Sequence, residues 1–302
     1  MNRLSFNILA IFLLAGCKPA GEPPETNPGK PRVAMVNYPL AYFAERIGGD
    51  LIEVHFPKIV GDPAFWKPTA TDIRKFQQAD VILLNGATYA KWRGTASLPD
   101  AKTVDTSADF QDPLLPVKVD VAHQHGKAGE HSHAGTAFTT WLDLKQAEQQ
   151  AAAVRDALVK RLPDSQTILD ENFSALKKEL SEVEAELSEV AEKFGQTPLV
   201  GSHPVYQYLA RGYDLNIISV HWEPDEMPDA VGWEELAKLR QQHPARIMLW
   251  EEEPAKAIAA KLKEQGVMSV VFAPCGNRPA SGDWLTVMRA NISRLGAVAP
   301  NK

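Results

Sequence analysis

The sequence has only two cysteines, Cys17 and Cys275, among 302 residues, which excludes a disulfide-built scaffold. It has no excess of positive charge: 32 Lys and Arg stand against 38 Asp and Glu, a formal charge of -6. Neutralising a phosphate backbone takes clustered cations, so nucleic acid is excluded as a partner. No Gly-x-Ser-x-Gly, Walker A or His-Glu-x-x-His pattern occurs, and no enzyme class is indicated. Long apolar runs are missing too, the most sustained being the short one at the start of the chain. What remains is ordinary globular composition, 44% hydrophobic and 23% charged, enough for one large domain or two lobes.

Arg3 is followed by an apolar run from Leu4 to Leu14, then Ala15, Gly16 and Cys17. A short basic start and an apolar region of that length is too short to span a bilayer and has the form of a secretory signal, residues 1–16. Leu14-Ala15-Gly16-Cys17 resembles a bacterial lipobox. That resemblance implies that Cys17 is acylated, begins the mature chain and holds it to a lipid bilayer, extracytoplasmic on the periplasmic face of a bacterial membrane. Residues 17–30 are rich in proline and lack apolar periodicity, so they read as a flexible tether. With Cys17 acylated, Cys275 is the only thiol left.

Beyond the tether the pattern is α/β. Arg32 to Val36 reads as a strand, Ala41 to Ile47 as a helix, Ile52 to Phe56 as a strand, Thr71 to Ala79 as a helix capped from Thr69, and Val81 to Leu84 as a buried strand. This alternation predicts parallel sheets in βαβ units. Leu142 to Leu162 is a further helix. Phe173, Leu176, Leu180, Val183, Leu187, Val190 and Phe194 then recur at alternating spacings of three and four, closed by Gly195. The seam suits a coiled-coil dimer or an intramolecular spine. The spine is preferred, because only about three heptads are sustained and α/β segments flank them. Alternation resumes through Pro198–Gly201, Leu215–Val220, Arg246–Trp250 and Ser269–Phe272, and Trp284 to Leu295 forms a closing helix. The expected fold is therefore two (β/α) lobes with parallel sheets, joined by a long rigid spine helix. The N-terminal lobe spans 31–162, the spine 163–195 and the C-terminal lobe 196–302, and the chain is expected to be a monomer.

Several of these segments carry a resemblance. Val33 to Leu40, Ile47-Gly48-Gly49-Asp50, Gly61-Asp62-Pro63, Asn85-Gly86, the His-rich stretch before Trp141-Leu142-Asp143, the spine, and Ser202-His203-Pro204-Val205-Tyr206 run in one order. In that order they resemble the zinc/manganese receptors of bacterial ABC importers. The resemblance covers nearly the whole mature chain. It implies two lobes holding Zn2+, with Mn2+ or Cu+ as alternatives, and handing it to an ABC permease in the inner membrane. It also implies four ligand positions, at which this chain carries Ala64, Thr139, His203 and Ala273. Alanine cannot ligate, and a threonine hydroxyl is a poor ligand for zinc.

Three residues are candidates for a rebuilt cleft site. His203 stands where a strand ends and a helix begins, the usual place for ligands in open α/β sheets. Glu251 follows the apolar strand Ile247 to Trp250, and the resemblance puts a glutamate at that strand end near the metal. Cys275 lies two residues past the missing carboxylate and brings a soft thiolate. Separately, His123, His125, His131 and His133 fall within the loop 123–133, half of the eight histidines in the chain. Such spacing suits weak, exchangeable capture of transition metal. His221 to Glu226 adds polar groups after a strand, at the cleft rim or on a plain surface loop. Ala64-Phe65-Trp66 makes the first lobe's side of the cleft apolar, which suits a filled cleft or an organic or chelated ligand. Three functions follow: a metal receptor with a rebuilt site, a degenerate receptor serving as a His-rich accessory or adhesion-type lipoprotein, or a receptor for a non-metal or chelated ligand.

Overall fold

The computed structural model describes residues 29–110, 112–117, 123–125, 129–131 and 135–300. The signal segment, Cys17 and His133 lie outside the described residues, and for His123, His125 and His131 only the backbone is described. Among the described residues no helix is long and apolar enough to cross a membrane.

The N-terminal lobe contains strands β1 (Arg32–Met35), β2 (Glu53–His55), β3 (Val81–Leu84) and β4 (Thr103–Asp105), all parallel, in the order β2-β1-β3-β4. Val33, Ala34, Met35, Ile82 and Leu83 are buried, as continuous apolar strands covered on both faces must be. Helix α1 (Tyr38–Gly48) starts three residues before the expected Ala41, because the Asn37 side chain accepts the Leu40 N–H at 3.2 Å and Pro39 presets the first turn. Helix α2 (Ala70–Gln78) opens on a capping box between Thr69 and Asp72. Two small antiparallel pairs follow, β5 (Pro116–Val117) with β8 (Gly135–Thr136) and β6 (His123–His125) with β7 (Gly129–His131).

Helix α3 (Leu144–Arg161) leads into α4 (Gln166–Phe194), a single helix of 29 residues. Five of the seven seam positions (Leu176, Leu180, Val183, Leu187 and Phe194) are buried, and Phe173 and Val190 pack partly buried against the same core. Their partners are α3, α1 and the closing helix α8 (Trp284–Gly296). The seam is thus used inside the chain, as a spine.

The C-terminal lobe repeats the plan with β9 (Leu199–Gly201), β10 (Ile217–Ser219), β11 (Ile247–Trp250) and β12 (Met268–Val271), parallel and ordered β10-β9-β11-β12. Helices α5 (Gln207–Gly212), α6 (Ala230–Gln242) and α7 (Lys256–Glu264) connect them. Both sheets reverse their winding between the first and third strands, β1/β3 and β9/β11. In open parallel sheets ligands sit outside the carboxyl ends of the strands at that reversal.

Two features tie the lobes together. Pro274–Arg278, after β12, lies as a strap on the N-terminal lobe: Tyr38 N–H donates to Gly276 O at 2.8 Å, Trp141 Nε1 to Pro274 O at 2.7 Å, and Asn277 Nδ2 to Ile59 O at 2.8 Å and Gly61 O at 2.9 Å. Trp284, fully buried at the start of α8, packs on Tyr42 and Phe43 of α1 with ring centroids 6.0 and 5.4 Å away.

Candidate functional site

The equivalent turns of the two lobes carry different chemistry. Two residues past β1 and one past β3 stand Asn37 and Asn85, a buried neutral pair with Asn37 Nδ2 donating to Asn85 Oδ1 at 2.9 Å. Two residues past β9 and one past β11 stand His203 and Glu251, whose Nδ1 and Oε1 are 3.2 Å apart. The turn that delivers His203 depends on Gly201. A Cβ there would lie 2.6 Å from Ser219 Oγ and 2.8 Å from Tyr206 Cδ2, closer than side-chain atoms pack.

A third group reaches the same ring from the next strand. After β10 the chain continues beside β9, with Val220 N–H donating to Gly201 O at 2.9 Å and Trp222 N–H to Ser202 O at 2.8 Å. Alternation along this extended segment buries Trp222 against Trp233 and Trp250 and puts His221 and Glu223 on the opposite side. The His221 ring lies 6.2 Å from that of His203, edge on, and Glu223 Oε1 is 3.4 Å from His203 Nε2. His203, 6% exposed, is therefore gripped on both ring nitrogens by carboxylates. Burial by itself disfavours the imidazolium, but hydrogen bonds to Glu223 and Glu251 and the charges of both outweigh it, and the pKa rises to about 10.

Facing this group across the cleft is Asp62, the cap of a 3-10 turn Pro63–Phe65, whose Oδ1 accepts the Ala64 N–H at 2.8 Å. Its carboxyl opens to solvent in the cleft, yet protein from both lobes surrounds it. That desolvation, against the Ala64 hydrogen bond and with help from the Glu251 charge, pushes it up to about 6. The cleft divides into two alcoves that share Asp62 and Glu251. One, about 510 Å³, is lined by His203, Glu223, Phe65 and Trp66; the other, about 400 Å³, by Tyr89, Phe138, Trp141 and Cys275.

The positions at which the resemblance implies ligands are occupied otherwise. Ala64 is buried, the Thr139 hydroxyl donates to Val205 O, and Ala273 exchanges hydrogen bonds with the Asn291 side chain at 3.0 and 2.8 Å. Cys275 does not join His203 and Glu251. Its backbone is left-handed (φ 58°), its Sγ lies 3.7 Å from Asn277 O, and it lines the alcove without His203. Among the described residues no three His, Cys, Asp or Glu side chains converge to hold a metal, so the grouping of His203, Glu251 and Cys275 is not formed here. Burial, with a small contribution from Asp283, pushes the thiol up to about 12. At pH 8 this leaves roughly a thousandth of the thiolate of an ordinary cysteine. In a Cys17→Ser chain, a thiol reagent should therefore label Cys275 roughly 1,000-fold faster in urea than in the native state; equal rates would mean an exposed thiolate.

Of the sequence candidates, His203 and Glu251 lie together; Glu223 was expected only within the segment His221 to Glu226, at the cleft rim or on a plain surface loop, and Asp62 was not singled out as a site residue. The signal for Glu223 was the polar–aromatic–polar alternation of His221, Trp222 and Glu223. Asp62 had none beyond its place before a turn.

The family model described as "ZnuA: Zinc-uptake complex component A periplasmic" matches residues 33–298. The chain belongs to this family. It is 26% identical over 287 residues to the zinc-binding protein AdcA of Streptococcus pyogenes serotype M3, covering 88% of this chain and 56% of AdcA. It is 25% identical over 278 residues to the high-affinity zinc uptake system protein ZnuA of Bacillus subtilis, covering 86% of this chain and 84% of that protein. The chain thus spans little more than half the length of AdcA. Its fold matches that of Zn(II)-bound AdcA from Streptococcus pneumoniae with a TM-score of 0.77 at 23% identity, over 91% of this chain and 59% of the other. Within the ZnuA family, then, this chain has the two-lobed frame of its structural neighbours.

Proposed function

We propose that this chain is the extracytoplasmic metal receptor of an ABC importer, with zinc as its cargo and no catalytic activity of its own. The observation that carries this is the His203 ring held between Glu223 and Glu251 at the winding reversal of the C-terminal sheet, facing Asp62. These side chains do not converge on one point as they stand, but one imidazole and several carboxylates supply donor types that divalent transition metals accept once the carboxylates turn. The two glutamates now hold opposite nitrogens of an imidazolium, so an arriving ion displaces the proton from one nitrogen, which leaves to solvent, and the carboxylate on that side turns with the ion. Family membership and similarity to proteins named for zinc uptake support the same cargo and a permease partner. Cys17, acylated, would tether the receptor to the bilayer as a monomer.

The loop 123–133 serves in this reading as a set of weak, fast sites. Titration of metal-stripped protein with zinc, and separately with manganese, tests it. Deleting residues 123–133 should lower the zinc stoichiometry and leave one tight site. A second reading, a degenerate receptor that captures metal only on the loop, is favoured by Ala64, Thr139 and Ala273 at the implied ligand positions. It is the correct one if the deletion abolishes all binding.

A further inference from the structure

We propose that Asp62 is the N-terminal lobe's donor to the cargo ion, and that Asn277, in the strap after β12, is the positioning residue that holds Asp62 opposite His203 and Glu251. The inference rests on the metal-receptor reading above and names what keeps the two halves of that site in register.

Asp62 has one oxygen committed and one to offer. Its Oδ1 accepts the Ala64 N–H at 2.8 Å and caps the turn Pro63–Phe65, which orients the carboxyl. Its Oδ2 makes no hydrogen bond or ion pair among the described residues. The carboxyl and Glu251 are walls of the same cleft. A divalent ion can therefore take Oδ2 without breaking an existing bond, and carboxylate oxygen is an acceptable donor for zinc.

Little in its own lobe holds the tip of the loop before Asp62. Val60 is fully exposed and contributes no packing, and Gly61, left-handed at φ 80°, has no side chain to contribute. The restraint comes from the strap. Asn277 Nδ2 donates one proton to Ile59 O at 2.8 Å and the other to Gly61 O at 2.9 Å, the two carbonyls that flank Val60. Its Oδ1 accepts the Arg278 N–H at 2.8 Å. The amide fits in this orientation only, because carbonyls need its NH2 and an N–H needs its oxygen. Arg278 is fixed in turn to α1, with Nη2 2.6 Å from Glu45 Oε1 and its guanidinium 4.7 Å from the centre of the Tyr38 ring.

The strap is also continuous with the opposite wall of the cleft. It leaves β12, whose Val271 pairs with Trp250, and Phe272 N–H donates to Trp250 O at 2.8 Å. Glu251 is the residue after Trp250. One hydrogen-bonded path thus runs from the strand end that presents Glu251, along the strap and through Asn277, to the loop that presents Asp62. Freeing the loop from Asn277 changes where Asp62 meets an ion bound at His203, and small displacements of a donor are costly in a metal site.

Zinc titration of the full chain, unaltered and as Asn277→Ala, Asp62→Asn and the double variant, tests the proposal. Asp62→Asn keeps the turn capped and leaves the strap intact, and it should weaken the tight site at least about tenfold. Asn277→Ala should also cost at least about tenfold, the low end for loss of a group that orients a ligand. In the Asp62→Asn background the same change should cost less than about twofold, because the donor it positions is already gone. Metal-free thermal melting should fall equally in both backgrounds, since the bonds lost are to backbone carbonyls. Parent-like affinity in either single variant, or an equal loss from Asn277→Ala with and without Asp62, overturns the inference and leaves the receptor reading standing. An unaltered chain with no tight zinc site overturns the receptor reading itself.

Discussion

Zinc binding to the tight site should be at least about 100-fold weaker in a His203→Ala chain than in the unaltered one, since loss of groups that merely orient a ligand already costs about 10–100-fold. The expectation follows from the asymmetry of the lobes. At the winding reversal of the N-terminal sheet the paired side chains are the neutral Asn37 and Asn85, closed on each other and on Gln150. At the corresponding place in the C-terminal lobe stands the imidazole of His203, and its two partners are carboxylates. Glu223 and Glu251 are both partly solvent-exposed, so water can serve them when the imidazole is removed, and the fold should survive. Calorimetric titration beside thermal melting checks both halves. Parent-like affinity in the variant would place the tight site elsewhere.

The second large effect concerns the frame. Trp284→Ala should destabilise the protein by about 3–5 kcal/mol, the usual cost of removing a buried aromatic side chain. Trp284 is fully buried between the lobes' helices, against Tyr42 and Phe43. One contiguous core runs from β1 through the spine to α8, so both lobes should lose structure in one earlier transition. Denaturant unfolding followed by tryptophan fluorescence and by circular dichroism measures this. A change under about 1 kcal/mol, the size of a peripheral substitution, would mean that α8 does not hold the lobes together.

Much of this frame was legible in the residues. Val81 to Leu84 and Ile247 to Trp250 could only be buried strands, and a three-four apolar repeat from Phe173 to Phe194 could only be a helix with one buried side. β4 escaped notice because Thr103-Val104-Asp105 is short and has one apolar residue, so its pairing with β3 is decided by tertiary contact. In the site, His203 and Glu251 were legible because a residue just past a parallel strand must emerge at the ligand edge. The same rule misgrouped Cys275: it locates a residue along the sheet and is silent on which side of the turn its side chain leaves. The left-handed backbone at Cys275 settles that, and no local pattern announces it. Glu223 belongs to the site through alternation beyond the end of β10, a periodicity only three residues long.

The central claim is that the tight zinc site is built on His203 in the cleft. Diffraction at the zinc absorption edge, on crystals of the chain loaded with one equivalent of zinc, tests it most directly. The account predicts one strong anomalous peak roughly 2.0–2.1 Å from a ring nitrogen of His203, with Glu223 or Glu251 on the same ion. A cleft without a peak, and zinc bound only along residues 123–133, would contradict it.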